Sequence, residues 1–193
     1  SYNIMPDRIE AGTLLCAAAI TGGEIKLKRV NPNHMLPILD KLTDIGCKIT
    51  IKENEIELKA PKRLKAQDIR TMPYPGFPTD MQAIISTCLA TANGTSVVVE
   101  NIFENRFKYT QELNKMGAKI SIEGKTAIIK GSKRLYGANV KATDLRGGVS
   151  LVLAGLIAKG KTRVDNIEFI LRGYEKIEEK LKKLGAEIYI IKP

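Results

Sequence analysis

The sequence predicts an α/β domain: an inside-out, barrel-like arrangement of three pseudo-repeated units, helices within and sheets without. Three observations carry that expectation. Gly46, Gly117 and Gly185 recur about every 70 residues, a spacing suited to repeated βαβ-sized units within one domain. Each follows an amphipathic run and precedes an alternating one, the place for a left-handed helix C-terminal cap. Each unit also opens with a run that is apolar nearly all round, Leu14 to Ile20, Ile84 to Ala92 and Val149 to Ala158, and such helices belong in the interior.

The elements follow in order. The first unit, about residues 5–60, has a helix from Asp7 to Gly22 and a strand from Glu24 to Val30. A second helix runs from about Pro32 to Ile45, and Gly46 leads into a hairpin ending in the strand Glu55 to Lys59. The second unit, about residues 78–131, repeats the plan. Its helix runs from Asp80 to Gly94, its strand from Thr95 to Ile102 and its second helix from about Tyr109 to Met116; Gly117 to Ile122 and Thr126 to Lys130 form its hairpin. The third, about residues 142–193, has a helix from Asp144 to Gly160, a strand from Thr162 to Ile167 and a second helix from about Gly173 to Leu184. Its hairpin strand, Gly185 to Ile190, is followed only by the chain's end at Pro193. The first two units continue into a second hairpin strand and a linker, Glu55 to Arg70 and Thr126 to Ala142. A partner for the last strand is therefore expected from elsewhere, and the chain reads as one domain, residues 1–193, either part of a larger protein or lacking an ordered piece of it. The second helices are amphipathic, Lys176 to Lys183 most clearly, and are expected outside, over the sheets.

Bulk composition narrows the functional classes. The longest nearly apolar run, Gly147 to Ala158, is too short to span a bilayer, so no membrane insertion is expected. No secretory leader is visible, and three cysteines without paired spacing favour a reducing, cytoplasmic setting. A single histidine and scattered cysteines give no metal-ligand spacing. The formal charge of +10 points to anionic partners. It comes largely from lysines spread along polar faces, without a recognition motif or an aromatic-rich basic strand, so nucleic acid is not the expected partner.

The candidate chemistry lies at the junctions between elements. Cys16 and Cys88 occupy the position held by Ala154 in the third unit, and Cys47 the position of Ala118 and Ala186. Interchange with alanine marks them as packing residues rather than nucleophiles. His34 reads as a cap or surface residue. Asp7, Asp80 and Asp144 each open an inner helix, where an aspartate satisfies orphan amides. That role is the expected one for Asp7 and Asp144. Thr79 to Gln82 has capping-box spacing, but the stiff approach Pro73-Tyr74-Pro75-Gly76-Phe77-Pro78 would also aim the Asp80 carboxylate into a site. Arg8, Arg106, Arg146 and Arg172 all sit near helix starts. In a threefold domain these junctions gather on one rim, where helix N-termini and guanidinium forks suit a carboxylate or phosphate. No glycine-rich phosphate loop is present.

Five stretches carry a resemblance. They are Pro6 to Gly12, Phe77-Pro78-Thr79-Asp80-Met81-Gln82-Ala83, Phe103-Glu104-Asn105-Arg106-Phe107, Ala142-Thr143-Asp144-Leu145-Arg146, and Arg172-Gly173-Tyr174-Glu175. Together they closely resemble the UDP-N-acetylglucosamine enolpyruvyl transferases, which commit bacterial precursors to peptidoglycan synthesis. The resemblance covers essentially the whole chain and matches the C-terminal half of such an enzyme. It implies two inside-out domains closing on substrate, with the protein's N-terminal segment crossing over to complete this one. The mobile loop and catalytic cysteine belong to the other domain.

The resemblance further implies that the 3-hydroxyl of UDP-N-acetylglucosamine adds to C2 of phosphoenolpyruvate, and that the adduct expels phosphate. Asp80 matches the carboxylate that contacts this hydroxyl. Arg106, Arg146 and Arg172 match the arginines around the phosphoenolpyruvate-derived group, and Ile102 matches a backbone contact to the sugar nucleotide. No metal or cofactor is implied. Two positions depart from the family pattern. Gly147-Gly148 stands where alanine or serine is usual, which is expected to loosen the helix start, and Leu171 replaces an aspartate beside Arg172. The rival readings are a non-catalytic protein that holds an anion on the same rim, and the shikimate-pathway relative, enolpyruvylshikimate-phosphate synthase, whose motifs fit less well.

Overall fold

The computed structural model describes residues 4–191. Three apolar helices meet at its centre: α1 (Arg8–Thr21), α3 (Gln82–Leu89) and α5 (Leu145–Ile157), each touching the other two. Leu15, Cys16, Ile84, Ile85, Cys88, Val149, Leu151 and Leu153 are fully enclosed among them. Two of the three helices begin on the expected cap. Asp7 accepts from the amides of Ile9 at 2.7 Å and Glu10 at 3.1 Å. Asp144 accepts from Arg146 at 3.0 Å and Gly147 at 2.8 Å.

Sheets flank the helices. β1 (Glu24–Lys28), β2 (Lys48–Lys52) and β3 (Glu55–Lys59) form an antiparallel sheet in the order β1-β3-β2. On β3, Ile56 and Leu58 are buried while Glu55, Glu57 and Lys59 alternate with them on the other face. Enclosing either apolar side chain stabilises the sheet by about 2 kcal/mol. Outside, register places Lys26 beside Glu57 and Lys28 beside Glu55, so cross-strand charges alternate in sign. The second sheet runs β4-β5-β7-β6, from β4 (Ile69–Arg70), β5 (Thr95–Val99), β6 (Lys119–Glu123) and β7 (Thr126–Lys130). The third is the parallel pair β8 (Asn139–Lys141) and β9 (Arg163–Asp165). The helices α2 (Leu36–Asp44) and α4 (Tyr109–Lys115) bury one face each, through Ile38, Leu39 and Leu42 and through Tyr109 and Leu113. Gly46, Gly117 and Gly185 have φ of 106°, 91° and 99°, the positive values expected after a helix end.

Several expectations need correction. The stretches between units are not simple linkers: each contributes a short strand, β4 or β8, that pairs in parallel with the next unit's first strand, β5 or β9. Two or three residues are too few to show a period-2 pattern. The hairpin strand expected at Gly185 to Ile190 is not formed, because a strand requires a ladder partner and none is offered among the described residues. Ala186 and Ile188 still pack on the core. The terminal Pro193 lies outside the described residues. The first strand stops at Lys28 rather than Val30, where Arg29 turns left-handed at φ 60°, and β9 stops at Asp165 before Asn166 at φ 59°.

Helix starts shift too. Pro32–His34 and Thr79–Met81 are 3-10 turns, with α2 and α3 beginning only after them. In the third unit a short helix, α6 (Glu168–Leu171), precedes α7 (Ile177–Lys183), which starts after a left-handed Lys176 rather than at Gly173. Gly147 and Gly148 do not loosen α5. A Cβ on Gly148 would lie 2.7 Å from Ile170 and 2.8 Å from Ala142, so the missing methyl lets α6 close against the helix.

Candidate active site

Asp80 is brought to its position by the 3-10 turn Thr79–Met81, entered from Pro78 in extended conformation at φ −72° and ψ 136°. No side chain caps this turn, and the capping box suggested by Thr79 and Gln82 is not made. The Asp80 carboxylate instead accepts from two arginines: Arg106 Nη2 at 2.7 Å on Oδ1 and Arg146 Nη2 at 3.0 Å on Oδ2. Arg106 comes from the loop after β5, and Arg146 from the first turn of α5, which the Asp144 cap holds. Partial burial pushes the Asp80 carboxyl up, but Arg146 and Arg106 outweigh it and hold the group below its ordinary value. The Nε and Nη1 donors of Arg146 are buried without a protein acceptor.

Each guanidinium rests on an aromatic ring. Arg106 lies 4.9 Å from the Phe103 centroid, Arg146 5.3 Å from Tyr174, and Arg172 5.7 Å from Phe169. A cavity of about 400 Å³ opens among Asp80, Phe103, Arg106, Lys108, Arg146 and Arg172. Arg172 makes no ion pair among the described residues, in keeping with Leu171 standing where a carboxylate was expected. The arrangement offers one aimed carboxylate and three guanidiniums to a small anion, with no cluster of metal-ligating side chains among the described residues.

Not every expected residue joins. Arg8 does not line this cavity and lies 5.6 Å over Tyr74 instead. Ile102 stands beside Phe103 but off the cavity lining, and its amide already donates to Glu100 Oε1 at 2.8 Å. Only its carbonyl remains for a backbone contact. The cysteines are packing residues, as expected. Contact with Cys88 and burial push the Cys16 thiol far up, and burial beside Cys88 pushes Cys47 to about 12. His34 shares a hydrogen bond with Asn31 at 3.0 Å beside its 3-10 turn.

Two residues escaped the sequence reading. Glu100 is buried behind the site, although its place two residues after Val98 on the inward face was a legible signal. Tyr174 is buried under Arg146, its hydroxyl 2.9 Å from Thr13 Oγ1 on α1. Thr13 gives its own proton to the Ile9 carbonyl, so the Tyr174 hydroxyl is the donor to Thr13, while its ring lies against the Arg146 guanidinium.

The proteins that share this chain's sequence and architecture are carboxyvinyl and enolpyruvyl transferases. The chain belongs to the family described as EPSP synthase (3-phosphoshikimate 1-carboxyvinyltransferase), whose model matches residues 1–181. Within that family its curated relatives carry a more particular name. The UDP-N-acetylglucosamine 1-carboxyvinyltransferase of Desulfofundulus thermocisternus is 52% identical, over 97% of this chain and 77% of its own length. UDP-N-acetylglucosamine 1-carboxyvinyltransferase 1 of Caldanaerobacter subterraneus subsp. tengcongensis is 53% identical and the Myxococcus xanthus enzyme 54%, each over 97% of this chain. The chain spans only 45% and 44% of those two proteins, about half their length. Among solved structures, the enolpyruvyl transferase NikO from Streptomyces tendae superposes with a TM-score of 0.89 at 26% identity, over 97% of this chain and 45% of its own. EPSP synthase from Acinetobacter baumannii, at 20% identity and TM-score 0.80, shares the fold.

Proposed function

We propose that this chain is the C-terminal domain of a UDP-N-acetylglucosamine 1-carboxyvinyltransferase, built as three pseudo-repeated units in an inside-out barrel. The rest of the same protein supplies the second domain and the strand that completes the third sheet. The whole enzyme moves the enolpyruvyl group of phosphoenolpyruvate to the 3-hydroxyl of UDP-N-acetylglucosamine. In a bacterial cytoplasm this is the first committed step of peptidoglycan synthesis, and it underlies cell-wall growth, shape and division.

The observation that carries the reading is the Asp80 carboxylate bridging Arg106 and Arg146 at the mouth of a cavity that Arg172 also lines. Asp80 takes the proton of the 3-hydroxyl as its oxygen bonds to C2 of phosphoenolpyruvate, while C3 gains a proton. The tetrahedral adduct then loses phosphate and a C3 proton, leaving an enol ether. Arg106, Arg146 and Arg172 hold the carboxylate and phosphate and offset the charge that grows on the leaving group. Arg146 has two buried donors without a protein acceptor, which suits a group that meets its full complement only with the anion bound. Ile102 offers its backbone carbonyl to the sugar nucleotide.

The test is phosphate release by the full-length transferase carrying Asp80→Asn. The proposal expects release to collapse with the fold intact; wild-type rates would remove Asp80 from the mechanism. The chain by itself, holding half the site, is expected to release no phosphate from the two substrates.

A further inference from the structure

Glu100 follows β5 and is only 1% exposed. A carboxylate buried this deeply is costly unless it is paired or fully hydrogen-bonded, and Glu100 makes no ion pair among the described residues. It is instead an acceptor at every contact. Oε1 receives Thr71 Oγ1 at 2.8 Å, the Ile102 amide at 2.8 Å and the Phe103 amide at 3.1 Å. Oε2 receives Thr79 Oγ1 at 2.9 Å. Thr71 Oγ1 in turn accepts from the Asn101 amide at 2.9 Å, closing the loop against β4.

The two oxygens therefore face different segments. Oε1 fixes the loop that carries Ile102, Phe103 and, four residues past Ile102, Arg106. Oε2 fixes the turn that carries Asp80, through the residue immediately before it. Those segments lie twenty residues or more apart in sequence, and besides the Asp80–Arg106 ion pair Glu100 links them directly.

We propose that Glu100 is a positioning residue of the transferase. Its buried carboxylate ties the Asp80 turn to the Arg106 loop, so that base and guanidinium are presented at one fixed spacing. The inference rests on the reading of Asp80 as the base. It assigns Glu100 no contact with substrate; Glu100 acts through Thr79 on one side and the Ile102 and Phe103 amides on the other.

The experiment compares Glu100→Ala, Glu100→Gln and Thr79→Val in the full-length transferase, with Asp80→Asn in parallel. Glu100→Ala and Thr79→Val are each expected to lower kcat roughly 10- to 100-fold, the loss that follows when a reacting group shifts by about 1 Å. In both, the acid limb of the kcat–pH profile moves to higher pH, because Asp80 loses part of the arginine field that holds it low. Glu100→Gln is expected to restore most activity, since its amide oxygen keeps the loop donors and the Thr79 hydroxyl can turn to accept from its NH2. Should Glu100→Ala fail to fold, Thr79→Val decides. A fall in kcat without movement of the acid limb would mark a merely structural role and overturn the inference, as would unchanged kcat. If Asp80→Asn abolishes turnover while Thr79→Val and Glu100→Ala match wild type, only this inference fails. If Asp80→Asn turns over normally, the reading beneath it fails as well.

Discussion

Asp80 and Asp144 both lie just ahead of an inner helix, Asp80 two residues before α3 and Asp144 one residue before α5, and they make different contacts. Asp144 lies in extended backbone at φ −165° and folds its carboxylate back onto the first amides of α5. Asp80 sits inside a 3-10 turn that starts one residue after Pro78, and its carboxylate points away from its own helix to Arg106 and Arg146. Residue type at a helix start thus does not set the role; the backbone just upstream does. The two are also linked. The Asp144 cap secures the turn from which Arg146 reaches across to Asp80, so one aspartate supports the ion pair made by the other.

The comparison is broken most strongly by removing the charge from Asp80. In the full-length transferase, Asp80→Asn should lower turnover by about 100- to 10,000-fold, the range for loss of a positioned base, with an unchanged circular dichroism spectrum. Next in size is Arg146→Lys. A point charge replaces a planar fork that reaches Asp80 with one nitrogen and keeps two donors in reserve, and turnover should fall roughly 100-fold; steady-state kinetics with phosphoenolpyruvate as the varied substrate would show it.

Smaller effects sharpen the other side. Asp7→Ala and Asp144→Ala should each cost about 1 kcal/mol in urea unfolding, as lost caps do, whereas Asp80 caps nothing and its asparagine variant should leave the urea midpoint nearly unchanged. The smallest effect is on acid stability. The folded-state pKa of Asp80 is depressed, so its contribution is present above the unfolded value of 3.8 and is lost as pH falls through the lower folded value. Acid unfolding followed by fluorescence of the tyrosines should therefore be slightly less steep in Asp80→Asn at the low end.

Much of the fold was legible from local signals that recur along the chain. The glycines at 46, 117 and 185 mark helix ends, and the apolar runs around Leu15, Ile85 and Leu151 could only be interior. The caps at Asp7 and Asp144 were legible from residue type and place. Arg106 and Arg146 were grouped with Arg8 and Arg172 by their place near helix starts, and these two meet at Asp80. What escaped was set by partners distant in sequence. β4 and β8 exist only because β5 and β9 offer them a ladder, while residues 185–190 alternate like a strand and lack one. Thr79 has the spacing of a capping box but gives its proton to Glu100, twenty-one residues on. Arg8 shares its helix-start position with the site arginines, yet Tyr74 claims it.

The most direct measurement is the titration of the Asp80 carboxyl carbon by NMR in this chain, alone and with Arg146→Met. The pairing with two guanidiniums requires Asp80 to titrate below an ordinary aspartate and to rise when Arg146 is removed. An ordinary titration that Arg146→Met leaves where it was would contradict the account.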